Sequence, residues 1–286
     1  MKIKNSVTET PNSLRLGLGM LVFSACSLSA LPELWAFIDY AGLLVMSLLV
    51  SPAIWLRFRA DIPLSRTISN TAIPAGIMVT AIGFHAVTTN ADSFARLAGG
   101  ASVMILPVVY GGSWAIIAYA FRDTNDYDIP QADRFTVLTC TLPVALSIFF
   151  AFSSLTGMTS TDYVSPKVLI LFCGLIFLLL AGSASRNVAR ILAEASIIGI
   201  IICIAIALVA WFSGLTVGTI PKDATDFATL GLLYGTFLFM ISYYVSLLAG
   251  ETDEINFDIK SWHLIESVGL YILLVFAPPS ICEIAA

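Results

Sequence analysis

The sequence predicts an all-α polytopic membrane protein whose eight to nine transmembrane helices form two parallel four-helix repeats. Three observations favour this fold class: the composition, the succession of apolar segments, and a match between the two halves of the chain. Of the 286 residues, 58% are hydrophobic and only 12% are charged, and the mean hydropathy is +0.92. A soluble domain carries about one quarter charged residues. The composition therefore indicates a membrane protein.

The apolar segments follow one another through the chain with short polar linkers between them. A membrane-crossing helix needs about 20 mostly apolar residues. Eight segments meet this requirement, near residues 16–34, 37–56, 71–89, 98–121, 135–156, 165–184, 193–213 and 227–249. A weaker ninth covers residues 264–281 and ends at Pro278-Pro279. The first segment also has the form of a signal peptide, but the many spans after it favour an uncleaved helix.

The distribution of positive charge predicts how the chain is oriented. Lys and Arg accumulate on the cytoplasmic side of membrane proteins. With a cytoplasmic N-terminus, all of the 14 Lys and Arg residues except Arg96, Lys167 and Lys222 lie on that side. We therefore expect the N-terminus in the cytoplasm.

The two halves of the chain match each other at an offset of about 123 residues. Asp39-Tyr40 and Asp162-Tyr163 each open a second apolar segment, and Tyr110-Gly111 and Tyr234-Gly235 each lie in a fourth one. Such self-similarity predicts a tandem repeat. Because four spans is an even number, both repeats would start from the same side of the membrane, as in transporters built from parallel repeats.

The repeat predicts five regions in the chain. They are a cytoplasmic tail, a first four-helix repeat, an acidic cytoplasmic linker, a second four-helix repeat, and an acidic linker with the weak ninth span, at residues 1–15, 16–122, 123–134, 135–249 and 250–286.

The segment from Pro74 to Phe121 contains several features in a distinctive order. Pro74-Ala75 opens a span, Gly76 lies within it, a short NADSFARLAGG connection follows, and a Tyr-Gly step comes late in the next span. This segment resembles the last two helices of the MotA/TolQ/ExbB proton-channel family. The stretch AFIDYAGLLVMSLLVSP resembles the start of the family's second helix, and through the repeat the resemblance extends more faintly to 139–249.

The resemblance implies an ion-conducting subunit of a bacterial inner-membrane complex, packed in a ring around a partner's single transmembrane helix. We therefore expect the chain to act as a channel-like or scaffold part of such a complex. Two departures from the family are visible. Only RFRADIPLSRTIS stands where family members carry a large cytoplasmic domain, and none of the three residues immediately before either Tyr-Gly step carries a hydroxyl.

Candidate functional residues fall into two groups. The first group comprises candidates for a channel or for helix packing: Pro74, His85, Pro107, Tyr110, Gly111, Glu194, Tyr234 and Gly235. The second comprises predicted anchors in the headgroups of the far side: Asp39, Tyr40, Asp162 and Tyr163. Ionisable residues within a span are functional candidates because they are costly there.

Two of these candidates have alternative interpretations. His85 is either a proton relay or an interfacial residue that reaches the headgroups. Glu194 lies four residues after Arg190, so the two are expected to pair on one helix face. No carboxylate occupies the midpoint of a predicted span, so the chain is expected either to conduct with a partner's acid or not to conduct.

Other functional classes find no support in the sequence. The five cysteines are scattered singly without metal-ligand spacing, and no nucleophile–base set, phosphate-binding loop or nucleic-acid patch is present. We expect no enzyme, no cofactor and no metal. The expected partners are membrane lipid and either a single-span protein or further copies of the chain. The alternatives are a small-molecule transporter with its site between the halves, and a structural membrane partner without transport.

Overall fold

The computed structural model describes residues 39–90, 100, 103–121, 133–155, 163–182, 187–215, 222–249, 260 and 263–272. Within these ranges the chain forms helices and no strands, which confirms the all-α class. The helices are α1 (Tyr40–Val50), α2 (Pro52–Ala60), α3 (Leu64–Asn90), α4 (Leu106–Ala120), α5 (Arg134–Leu155), α6 (Pro166–Gly182), α7 (Val188–Leu215), α8 (Lys222–Ala249) and α9 (263–272).

Four helical segments in the described residues are long and apolar enough to cross a membrane: Tyr40–Ala60, Leu64–Thr88, Val188–Ala210 and Asp223–Leu248. Three shorter apolar helices, Leu106–Ala120, Arg134–Leu146 and Pro166–Gly182, lie at the positions of the fourth, fifth and sixth predicted spans. The first predicted span, 16–34, lies outside the described residues, and α9 covers the beginning of the ninth. The count of eight to nine spans and the repeat therefore stay predictions.

α1 and α2 follow each other with only Ser51 between them and form one apolar rod, Tyr40–Ala60. Ser51 between them keeps helical dihedral angles, and Pro52 occupies the first turn of α2, where its missing N–H costs nothing. α2 ends at Asp61, whose φ of 54° is left-handed. The guanidinium of Arg57 lies 2.7 Å from the Asp61 carboxylate, so the chain reverses at a paired charge.

α3 begins seven residues before the predicted span because its polar first turns are buried inside the protein rather than exposed. Arg66, Thr67 and Asn70 are all at most 5% exposed. The Thr71 hydroxyl donates to the carbonyl of Thr67, and the Asn70 amide donates to the carbonyl of Arg66. Such hydrogen bonds to the helix's own backbone let polar residues lie in a buried helix. Because hydropathy counts these residues as unfavourable, it places the start of the helix too late.

α5 begins with a side-chain cap. The backbone N–H of Thr136 donates to the Asp133 carboxylate at 3.2 Å. Hydrogen bonding by Thr136 holds the pKa of the Asp133 carboxyl below its usual value. A charged carboxylate also suits the positive end of the helix dipole.

α3 and α8 form the centre of the protein. α3 packs against α4 and α8, and α8 packs against both α3 and α7. Of the most apolar stretch of each helix, 83% is buried in α3 and 72% in α8, against 44% in the α1–α2 rod. α1, α2, α5 and α6 lie around this centre and leave large apolar side chains such as Phe58, Leu142 and Phe177 on the outside.

Two equivalent helix pairs approach closely at glycines. A Cβ on Gly111 of α4 would collide with the carbonyl oxygen of Ala72 on α3, and a Cβ on Gly235 of α8 would meet that of Ser196 on α7. Glycine lets helix backbones approach closely in membranes. Gly111 and Gly235, and likewise Ala72 and Ser196, are separated by the same interval in the sequence.

Pro107 lies at the start of α4 rather than in the interior of a helix. A turn at Ile105 precedes it, and Pro107 occupies the first turn of α4. Backbone N–H groups of a first turn have no acceptor within the helix, so the N–H that proline lacks is not missed there. Within the fourth predicted span, 98–121, the helix is therefore interrupted at Ile105, and α4 starts after this turn. The Pro107 carbonyl packs where a Cβ on Gly76 of α3 would stand.

Candidate functional site

A tyrosine hydroxyl contacts the beginning of another helix in each half of the chain. In the first half, the backbone N–H of Asp39 donates to the Tyr110 hydroxyl at 3.3 Å. In the second half, the Tyr234 hydroxyl accepts from the Ser165 N–H at 3.0 Å and donates to the Tyr163 carbonyl at 2.6 Å. The first N–H groups of a helix have no partner within the helix, and these hydroxyls supply one.

These contacts bring together the two sequence features from which the repeat was inferred. Tyr110 joins the Asp39 end of α1, and Tyr234 joins the Tyr163 end of α6, so each Tyr-Gly step meets the segment of its own half that carries the Asp-Tyr pair. The surroundings of the anchors differ, however. Tyr40 is 69% exposed, whereas Tyr163 is 1% exposed and does not reach outward. Asp162 lies outside the described residues.

The most unusual pair of ionisable groups in the interior joins α3 to α8. His85, only 4% exposed, lies near the end of α3, and its Nδ1 is 3.4 Å from the carboxylate of Asp226 on α8. This distance is longer than the 2.7–2.9 Å of a strong charge-assisted hydrogen bond, so the two groups are electrostatic neighbours in this conformation. The histidine expected either as a relay or near the headgroups is thus buried against an acid.

Two further side chains surround this pair. The Thr88 hydroxyl, one turn after His85, lies 3.4 Å from the same Asp226 oxygen and also donates to the His85 carbonyl. The Tyr163 ring lies against the imidazole, with ring centroids 4.8 Å apart. The pair therefore receives contacts from α3, α8 and the segment that leads into α6.

The C-terminal helix α9 completes the site. Tyr271 is wholly buried, and its hydroxyl lies 2.5 Å from that of Thr229, one turn after Asp226 on α8. Its ring packs edge-on against Phe84, the neighbour of His85, at 5.4 Å. Tyr271 thus contacts residues beside both members of the pair. Leu264 and Val268 share its buried face, so α9 packs as an integral part of the protein.

His85 and Asp226 have the chemistry of a proton-transfer pair. Imidazole gains and loses a proton near neutral pH, and an adjacent carboxylate can stabilise the charged form or take the proton itself. Neither group faces bulk solvent freely, since the Asp226 side chain is 27% and the His85 side chain 5% exposed. His85 lies three residues before the end of the candidate membrane span Leu64–Thr88, and Asp226 lies three residues after the start of Asp223–Leu248. Ionisable residues within a span are functional candidates.

Glu194 lies apart from this pair in a second charged cluster. Its carboxylate is 2.9 Å from Arg190 Nε, as the sequence spacing predicted, and 3.7 Å from Lys260 Nζ. Burial lowers the pKa of Lys260, and the neighbouring Glu194 opposes this shift. The cluster connects Lys260, before α9, to the first turns of α7. It is separate from the site around His85.

Asp226 is the functional candidate that sequence reasoning missed. The last strong apolar segment begins at residue 227 and leaves Asp226 just outside it, but α8 begins at Lys222 and therefore includes Asp226 in its second turn. The spacing of Thr225, Asp226 and Thr229 was the available signal, because these residues cluster on one side of a helix. Its partner His85 lies 141 positions earlier in the numbering, and no local pattern links the two.

A half-open groove of about 190 Å³ lies between α5 and α8 and is lined mainly by apolar side chains, including Leu138, Leu142 and Phe237. It therefore does not supply the polar site that a transporter would need. In the described ranges, no three or more His, Cys, Asp and Glu residues are grouped so that they could hold a metal.

No family model, no curated protein and no solved structure matches this chain.

Proposed function

We propose that the protein is a proton-conducting subunit of a bacterial inner-membrane complex, built from two tandem four-helix repeats and related to the MotA/TolQ/ExbB channels. The observation that carries the proposal is the 3.4 Å contact of buried His85, on α3 of the first half, with the partly exposed Asp226 on α8 of the second. The proposal gives the chain its own acid, beside the boundary between the repeats.

The equivalent contacts of the two halves support the tandem-repeat part of the proposal. Tyr110 and Tyr234 each contact the beginning of another helix, and Gly111 and Gly235 each pack against a carbonyl of the preceding long helix. In a parallel repeat, such contacts recur because the same unit is built twice. Both halves would then start on the cytoplasmic side, together with the N-terminus.

The outer surface supports membrane partners. Large apolar side chains on α2, α5 and α6, among them Phe58, Leu142 and Phe177, are more than half exposed. In a bilayer these faces contact lipid, a single-span partner or a second copy of the chain. The flux measurement below therefore uses the complex as it is purified, with every co-purifying subunit retained.

Proton flux into liposomes tests the proposal. With a pH-sensitive dye inside and an imposed membrane potential, wild-type protein should acidify the lumen faster than empty liposomes. His85→Gln removes the imidazole that would relay the proton and should slow this flux about tenfold or more, because proton transfer by a placed side chain is worth at least that factor. Wild-type liposomes that acidify no faster than empty ones would contradict the proposal.

The second histidine provides a matched control. His263 on α9 also has an acid beside it, with Glu266 at 3.1 Å, but both side chains are more than half exposed. His263→Gln should leave the flux unchanged because an exposed pair lies on no buried route. An equal loss in both variants would show that the assay reports general damage.

A small-molecule transporter is the second candidate, and one observation favours it. The ionisable pair lies between the halves, where transporters with repeats place their substrate and coupling-ion sites. In the same liposomes, a transporter would move protons only when its solute is present. Flux in plain buffer therefore separates the two candidates.

A further inference from the structure

The interior of α3 contains a second polar site, one turn before Pro74. Asn70 is 5% exposed, and its amide nitrogen donates to the Arg66 carbonyl at 2.9 Å. This bond fixes which end of the amide is nitrogen. The amide oxygen, Oδ1, is then left without a hydrogen-bond partner in the part of the chain that the structure describes.

The backbone of the same residue supplies a second acceptor. In an α-helix the carbonyl of residue 70 accepts from the N–H of residue 74, but residue 74 is a proline, which has no N–H. Asn70 therefore presents a side-chain oxygen and a backbone oxygen that both lack their ordinary donors. Buried acceptors of this kind cost free energy until a donor satisfies them.

The neighbouring helix places further polar atoms at this level. Thr67 of α3 lies 3.4 Å from Tyr243 of α8, and His85 lies against Asp226, so the two helices run antiparallel in a defined register. This register sets Thr236 opposite Pro74 and Met240 opposite Asn70. The Thr236 hydroxyl donates back to its own helix at 2.8 Å, which leaves its lone pairs available as acceptors.

We propose that Asn70 and the backbone hydrogen bond that Pro74 cannot make form a binding site for a water molecule on the face of α3 that packs against α8. The site requires a small ligand that donates at least two hydrogen bonds, and a buried water needs two to four polar partners. Ordered water commonly satisfies the carbonyls that prolines free in membrane helices. A metal cation fits poorly because buried Arg66, one turn earlier, already carries positive charge.

The water site also has a place in conduction, and this part rests on the proposed function. The proton route would have two polar sites, the Asn70 water site on the cytoplasmic side and the His85–Asp226 pair on the other. Met78 and Ala81, both wholly buried, keep the face of α3 between the two sites apolar. Apolar sections of this kind gate pores by excluding water. The Asn70 water is therefore the point at which hydration from the cytoplasmic side ends.

Radiolytic footprinting tests the water site without measuring flux. X-rays generate hydroxyl radicals from water, and methionine beside that water is converted to its sulfoxide. Met78 lies one turn after Pro74, and Met240 lies opposite Asn70. Met46 on α1 is equally buried, at 0% exposure, and serves as the control. In intact wild-type protein, Met78 and Met240 should be oxidised several-fold faster than Met46.

Two variants sharpen the result. Asn70→Leu removes the side-chain acceptor at similar volume, and Pro74→Ala restores the N–H that satisfies the Asn70 carbonyl. Each should lower the oxidation of Met78 and Met240 to the rate of Met46, and a misfolded variant would instead raise Met46. The water site would be overturned if Met78 and Met240 of the wild-type protein were oxidised no faster than Met46. Oxidation rates that stay unchanged in Asn70→Leu would overturn it as well. Either result would leave the proton pair untouched, since that pair is tested by flux.

Discussion

Two tyrosine hydroxyls form hydrogen bonds with backbone groups at the beginnings of α1 and α6. Tyr234 makes two such bonds, to the N–H of Ser165 and the carbonyl of Tyr163, and both lie where α6 begins. Within a membrane, a backbone group without a partner is expensive because no water replaces it. In the other half the Tyr110 hydroxyl accepts from the Asp39 N–H, so each tyrosine connects its own helix to the beginning of another one.

Replacing one hydroxyl should therefore destabilise the protein measurably. Tyr234→Phe should lower the free energy of unfolding by about 1–3 kcal/mol, because it leaves backbone groups unsatisfied while retaining the ring. Tyr119→Phe, at a tyrosine that is 62% exposed, should change it by less than about 0.5 kcal/mol. Reversible unfolding in mixed detergent measures both, and equal values for the two variants would argue against this role of the tyrosine hydroxyl.

At the scale of helices, close approach depends on single glycines. Gly111 of α4 stands over the Ala72 carbonyl of α3, and nothing in this contact can move aside because the colliding atom belongs to a backbone. The next residue, Gly112, has no atom within 4 Å of its Cβ position. Two adjacent glycines thus have opposite tolerance for a side chain.

Alanine at these two positions separates packing from helix propensity. Gly111→Ala should destabilise the protein by about 1–3 kcal/mol through overpacking. Gly112→Ala should stabilise it by up to about 1 kcal/mol, because alanine is the better helix former. The same unfolding assay measures both, and destabilisation by Gly112→Ala comparable to that of Gly111→Ala would contradict this packing of α3 on α4.

The helices themselves were largely predictable from the sequence, and their ends were not. Apolar segments gave the positions of α5, α6 and α8 to within a few residues, since length and hydropathy decide membrane helices. α3 began earlier because buried polar residues such as Asn70 bond to their own helix, which no hydropathy scale registers. The fourth apolar segment, 98–121, includes Pro107 without interruption, because the turn at Ile105 has no signature in composition.

At the scale of the whole molecule, α3 and α8 pack against each other at the centre and bring together residues from the two halves of the chain. His85 was recognised in the sequence, but its partner Asp226 and the covering Tyr271 were not. Their association depends on how helices far apart in the sequence pack against each other. A single sequence shows candidates within each helix and leaves such pairings open.

The central claim is that His85 and Asp226 act as one proton-transferring unit, and flux through paired variants tests it most directly. His85→Gln, Asp226→Asn and the double variant are reconstituted side by side with wild-type protein. Residues that act as a unit give non-additive losses, so the double variant should conduct no more slowly than the slower single variant. Losses that multiply in the double variant, or single variants that conduct like wild type, would contradict the claim.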